Sequence, residues 1–89
     1  MTKRGKLEIM RDILKIIQEN RNSIRPTPLL RKSKMSSFGF RDYYIELLAR
    51  ELIKEGSIGG EKFVSLTEKG FRFLERYNAI VDFINEFEL

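Results

Sequence analysis

Ser36, Ser37, Phe38 and Arg41 stand together at the start of a segment in which Phe40, Tyr43, Tyr44 and Leu47 recur at helical spacing. On a helix the two groups separate. Phe40, Tyr43, Tyr44 and Leu47 share one face, while Phe38, Arg41, Asp42 and Ile45 lie on the other and are expected to look outward. The first turns of such a helix offer two hydroxyls and one forked guanidinium. A guanidinium can donate two parallel hydrogen bonds to the O6 and N7 acceptors of guanine, hydroxyls can bond to several base edges, and an exposed phenyl ring can lie against a thymine methyl. For Phe38 a core position between two helices is the competing reading, since aromatic side chains are mostly buried.

Arg31, Lys32 and Lys34 crowd the segment just before this one, where cations would meet phosphates rather than bases. Arg25 and Lys62 are further phosphate candidates. Lys3 and Arg4, in the run Lys3-Arg4-Gly5-Lys6, read either as a basic arm that follows the backbone or enters the minor groove, or as a solubilising tail. Residues 1–41 carry eleven Lys or Arg against three acids, whereas residues 42–89 carry six against ten. A basic first half suits one anionic partner on one face, with an ordinary solvated helix surface as the plainer alternative.

Other chemistries lack their usual groups. The chain has no cysteine and no histidine, so no thiolate nucleophile, Cys-ligated zinc or imidazole base is available. The expectation is therefore a non-enzyme without metal or cofactor. Leu7 to Ile17 is interrupted by charges and no apolar run could span a bilayer, which predicts a cytoplasmic, nucleoid-associated protein without a membrane partner.

These residues need a scaffold. Leu7, Met10, Ile13, Leu14 and Ile17 lay one apolar stripe on a helix from about Lys6 to Glu19. Asn20, Asn22 and Ser23 break it, and Ile24-Arg25 suits a brief strand. Thr27 followed by Pro28 predicts a capped helix start, with Leu29 and Leu30 facing the core. A short break follows, and Ser36 or Ser37 caps the next helix. Leu52-Ile53 opens a strand, Gly56, Gly59 and Gly60 permit a turn, and Lys62 to Leu66 returns with Val64 and Leu66 on one face. Thr67 caps a last helix. The order predicts a mainly α fold with a small β-hairpin (α+β), a winged helix-turn-helix over residues 1–72. Residues 73–89 form a C-terminal extension of the last helix, and the leading function is binding double-stranded DNA.

That last helix has too many apolar positions for one core-facing stripe. Phe71 and Leu74 can dock on the domain, but Phe73, Tyr77, Ile80, Val81, Phe83, Ile84 and Phe87 run on beyond it at coiled-coil-like spacing. A soluble monomer rarely exposes so contiguous a patch. A homodimer paired through this helix would bury it, with folding back onto the same domain as the alternative.

The chain resembles the small archaeal winged-helix proteins that dimerise through a long C-terminal helix, among them crenarchaeal ten-kilodalton chromatin-associated DNA-binding proteins and related virus-encoded regulators. KLEIMRDIL (Lys6 to Leu14), TPLLRKSKMSS (Thr27 to Ser37), FRDYYIELLARELI (Phe40 to Ile53) and VSLTEKGFRFLERY (Val64 to Tyr77) carry the resemblance. It implies that Ser36 to Ile45 is a recognition helix, that Gly56 to Lys62 is the wing, and that the helix after Thr67 makes an antiparallel coiled coil with a second subunit. It implies a transcriptional regulator, with an architectural protein of little sequence preference as a close variant and a winged-helix protein-interaction module as the other class. Two residues depart from the pattern. Glu51 stands where the family often has a helix-stopping glycine, which predicts a less sharp helix end. Lys34 occupies a turn position often filled by Asn or Gly, which predicts a looser turn while adding positive charge.

Overall fold

The computed structural model describes residues 5–89 as four helices and one hairpin, in the order α1 (Lys6–Glu19), α2 (Pro26–Ser33), α3 (Ser37–Ala49), β1 (Ile53–Ile58), β2 (Glu61–Leu66) and α4 (Glu68–Glu86). The stripe on α1 forms the centre of the core, with Met10, Ile13, Leu14 and Ile17 all buried. Leu29 from α2, Phe40 and Leu47 from α3, Val64 and Leu66 from β2, and Leu74 from α4 close around it. Leu7 departs from the expected stripe. It is 59% exposed, because α1, α3 and α4 leave a cleft at that end of the molecule rather than closing over it.

The hairpin pairs Ile53 with Leu66 through to Ile58 with Glu61. Gly59 and Gly60 both have positive φ, as a two-residue turn that follows the right-handed strand twist requires. Gly56, read from sequence as part of the turn, lies instead within β1 opposite Phe63. Ile24 forms a lone antiparallel bridge with Val64, so the link between α1 and α2 adds a short third rung to the hairpin.

The start of α2 corrects the sequence reading. Arg25 is the N-cap and Pro26 the first helical residue, with no side-chain cap, so Thr27 sits inside the first turn instead of capping it. The residue before a proline is held extended, and Arg25 obeys this with ψ 152°. The chain therefore passes directly from the Ile24 bridge into the helix.

Both departures from the family pattern also end differently from expectation. Lys34 adopts the left-handed conformation at φ 59°, and the turn is tight. The Ser33 hydroxyl donates to the Leu30 carbonyl at 2.6 Å, and Ser36 caps α3 by accepting the Gly39 N–H at 3.1 Å. Glu51 is left-handed as well, at φ 59°. The Leu52 N–H bonds to the Leu47 carbonyl and the Glu51 N–H to the Leu48 carbonyl, which is the Schellman pattern that glycine usually supplies. Helix α3 thus stops sharply without glycine, and the left-handed strain is held by the surrounding bonds.

Those bonds come from the junction into α4. Thr67 accepts the Gly70 N–H and donates its hydroxyl to the Glu51 carbonyl at 2.6 Å. Its own N–H reaches the Leu52 carbonyl, and the Lys69 ammonium reaches the Arg50 carbonyl at 2.8 Å. The start of one helix thereby satisfies the orphan carbonyls at the end of another.

Candidate nucleic-acid interface

The outward face of α3 follows from its sequence. Phe40 and Leu47 are buried, whereas Phe38 is 84% exposed and Arg41, Asp42 and Ile45 face solvent. Of the two readings of Phe38, the structure selects the exposed one. Ser36 and Ser37 flank it, also exposed, although the Ser36 oxygen already caps the helix. Tyr43 and Tyr44 are half-buried beside the core. Tyr44 donates a hydrogen bond to the Glu55 carboxylate in β1, which ties the back of α3 to the wing. Burial and the Glu55 charge both raise the Tyr44 phenol above its ordinary range.

Arg31, Lys32 and Lys34 are exposed along the end of α2 and its turn, and like Arg41 they make no ion pair among the described residues. Their charge is available to an anionic partner without first breaking a contact. The wing differs. Arg25 is bonded to Glu61 at 3.1 Å and Lys62 lies 3.6 Å from Glu55, so each wing cation has an acid beside it. Arg25, Arg31 and Lys62 nevertheless converge on one open cleft, where Thr27 and the first turn of α2 form the opposite wall. The N-terminus of that helix adds its partial positive charge.

Sequence reasoning missed Lys15. From α1 it lines a groove with Lys32 and Lys34, shared with Arg11, Asp12 and Glu19, so that bases outnumber acids there. Residues 15 and 32 meet only through helix packing, so no local spacing could have signalled it. Lys3 and Arg4 lie outside the described residues. Among the described residues no cluster of three or more potential metal ligands occurs, and no helix is long and apolar enough to cross a membrane.

At α4 the structure divides the expected seam in two. Phe73 packs partly against the core and stacks on Tyr77, and the Arg11 guanidinium lies 5.2 Å from the Tyr77 ring centroid. Phe73 and Tyr77 are therefore partly engaged within one chain. From Asn78 to Leu89 every residue is exposed, including Ile80, Val81, Phe83, Ile84 and Phe87. Phe71, expected to dock on the domain, is itself 37% exposed, and Leu74 does the docking.

Three helices with a two-stranded hairpin after the third define a winged helix. The chain belongs to the winged helix-turn-helix family, whose model matches residues 3–85. Its fold is similar to that of Sso10a-2, a DNA-binding protein from Sulfolobus solfataricus, with TM-score 0.75 at 19% identity over 96% of this chain and 86% of that one. It is also similar to F93 from STIV, a winged-helix DNA-binding protein, with TM-score 0.74 at 19% identity over 89% and 91% of the two chains. SSV1 F-93 gives TM-score 0.68 at 23% identity over 97% of each chain. No curated protein sequence matches the chain significantly.

Proposed function

We propose that this chain is a homodimeric double-stranded-DNA-binding protein that acts as a transcriptional regulator, binding rather than catalysing. The observation that carries the reading is the solvent-facing row Ser37, Phe38 and Arg41 on α3, bordered by the unpaired cations Arg31, Lys32 and Lys34. A helix fits the major groove, and there Arg41 would read guanine while Phe38 would meet a thymine methyl. The flanking cations, with the wing and the basic arm at Lys3 and Arg4, would contact phosphates and supply salt-dependent affinity. Because Arg25 and Lys62 must share their charge with Glu61 and Glu55, the wing contributes less than the end of α2. The DNA-binding character of Sso10a-2 and of F93 from STIV supports the same reading.

Two such chains pair through α4. The exposed residues Ile80, Ile84 and Phe87 continue the line of Phe73 and Tyr77 at alternating spacings of three and four, as a helix-pairing seam does. Charge favours the antiparallel arrangement. The first half of α4 holds Lys69, Arg72 and Arg76 against Glu68 and Glu75, and the second half holds only the acids Asp82 and Glu86, followed by Glu88. Parallel pairing would set the two acidic ends together, whereas antiparallel pairing sets each acidic end against the half that carries all the bases of α4.

The test is fluorescence-anisotropy binding to several promoter-derived and random duplexes over a salt series, with the protein's solution mass measured alongside. A dimer that favours one duplex by orders of magnitude supports the regulator. Equal, salt-sensitive binding to all duplexes replaces it with an architectural protein. Binding no stronger than that of an unrelated protein of equal charge overturns the DNA reading and favours a protein-interaction module.

A further inference from the structure

Among the described residues, Leu7 is the one member of the α1 apolar stripe left uncovered, at 59% exposure. It stands at the mouth of a cleft of about 310 Å³ whose apolar wall is completed by Met10, Leu52 and Phe73. Lys6, Arg50 and Lys69 rim the opening. The acid among them, Glu46, is already bonded to Lys6 and to Arg50, each at 2.8 Å, so the rim retains net positive charge.

This cleft lies at one end of the exposed seam. Lys69, Phe73, Tyr77, Ile80, Ile84 and Phe87 fall on one helix face, so the stripe that carries the outer apolar residues runs straight into the cleft wall. Phe73 and Phe87 stand symmetrically, seven positions before and after Ile80. In an antiparallel pair centred on Ile80, Phe87 of the partner subunit arrives beside Phe73. Its neighbours in sequence are Glu86 and Glu88, which carry the charge opposite to the rim.

We propose that the cleft between α1, α3 and α4 is a docking site for a second copy of this chain, filled by Phe87 of the partner subunit with Glu86 and Glu88 against Lys6, Arg50 and Lys69. The inference rests on the dimer reading above and goes further, since it makes each winged domain incomplete until the partner's helix end covers Leu7. Each helix end then contacts the opposite domain close to where α3 stops, and the two recognition helices are fixed relative to one another. Within one chain the contact cannot form, because fourteen helical residues place Phe87 about 21 Å along the axis from Phe73.

The absence of native cysteine makes the test direct. Leu7→Cys protein and Phe87→Cys protein are mixed, unfolded and refolded together, then treated with a short bismaleimide; the solution mass of the unmodified protein is measured in parallel. The expected result is a cross-linked dimer in the mixture, absent from either variant alone and absent when Ile58→Cys at the wing tip replaces Leu7→Cys. Circular dichroism of each variant establishes that it is folded. A dimeric mass without the mixed cross-link overturns the docking site and leaves the dimer standing. A monomeric mass overturns both. As a second measurement, Leu7→Asp removes the apolar contact at a position already exposed in the single chain, and it is expected to weaken dimerisation at least tenfold while the domain stays folded. Unchanged dimerisation in that variant overturns the docking site.

Discussion

Gly70 in the first turn of α4 lies against the carbonyl oxygen of Leu52, so closely that any Cβ at position 70 would enter that oxygen's van der Waals radius. The contact holds the start of the last helix against the end of α3, and it gives a physical reason for glycine in the LTEKG block. Two effects oppose each other on Gly70→Ala. Helix propensity favours alanine by about 1 kcal/mol, while forcing backbone apart costs about 1–3 kcal/mol. Because the obstructing atom belongs to the backbone and cannot rotate away, the clash wins. Gly70→Ala is expected to destabilise by up to about 2 kcal/mol in urea unfolding, and a variant more stable than the parent would show that the junction yields easily.

Glu51 and Lys34 carry the opposite expectation. Both hold the left-handed conformation at φ 59° without glycine's freedom. Such a conformation costs an L-residue about 1 kcal/mol, part of which a glycine returns as unfolded-state entropy. Glu51→Gly is expected to raise stability by about 0.5 kcal/mol with DNA affinity unchanged. Lys34→Gly should gain similarly in stability yet bind DNA more weakly, with the salt dependence reduced by about one phosphate contact. If Lys34→Gly binds as well as the parent, Lys34 lies outside the interface.

How far the sequence reached can be judged from these residues. The 3.6-residue period fixed α1 between Lys6 and Glu19 and separated Phe40 and Leu47 from Phe38 and Arg41, because burial on a helix is a local pattern. Paired glycines located the wing tip for the same reason. The start of α2 was misread because Pro26 and Pro28 both suit a first turn, and the bridge from Ile24 to Val64, forty residues away, decides between them. Glu51 was misread because its left-handed turn depends on Thr67 and Lys69, which lie far along the chain. Lys15 and the exposure of Leu7 likewise depend on how helices meet. At the candidate interface, residue types were legible from the sequence; which cations stay unpaired was not.

The difference between paired and unpaired cations separates reading from anchoring. Arg41→Ala is expected to cost about 1–3 kcal/mol on a preferred duplex and to flatten preference at one base position. Arg31→Ala or Lys32→Ala should weaken binding to all duplexes alike and lower the salt slope by about one. Anisotropy titrations on matched and single-base-changed duplexes distinguish the two patterns. Loss of affinity without loss of preference in Arg41→Ala would reassign it to a phosphate.

Tyr44 predicts an alkaline limit. Its phenol is raised by burial first and then by the hydrogen bond and charge of Glu55. A raised folded-state pKa means that the protonated form is favoured by folding, so this contribution is fully present below the unfolded tyrosine value of about 10 and is lost as pH rises through the higher folded value. Tyrosinate absorbance should accordingly show a late ionisation step from Tyr44. Tyr44→Phe should remove that late step and reduce the alkaline fall in stability. A Tyr44→Phe titration identical to the parent would mean that the phenol does not bond to Glu55 in solution.

The exposed end of α4 offers the sharpest separation of folding from assembly. Ile80 and Ile84 are 60% and 39% exposed and lie outside the hydrophobic core, so Ile80→Glu with Ile84→Glu removes no core side chain from the winged domain. Carboxylates there would be buried without partners in a paired seam, at a cost of several kcal/mol. The doubly substituted chain is therefore expected to be monomeric by light scattering, with helical circular dichroism close to that of the parent. Its DNA affinity should fall by much more than phosphate contacts alone explain, because two linked half-sites bind as one unit and a monomer loses that effective concentration. If the variant remains dimeric, the pairing surface lies elsewhere. If it is monomeric and binds DNA as tightly as the parent, each winged domain acts alone and the dimer has another purpose.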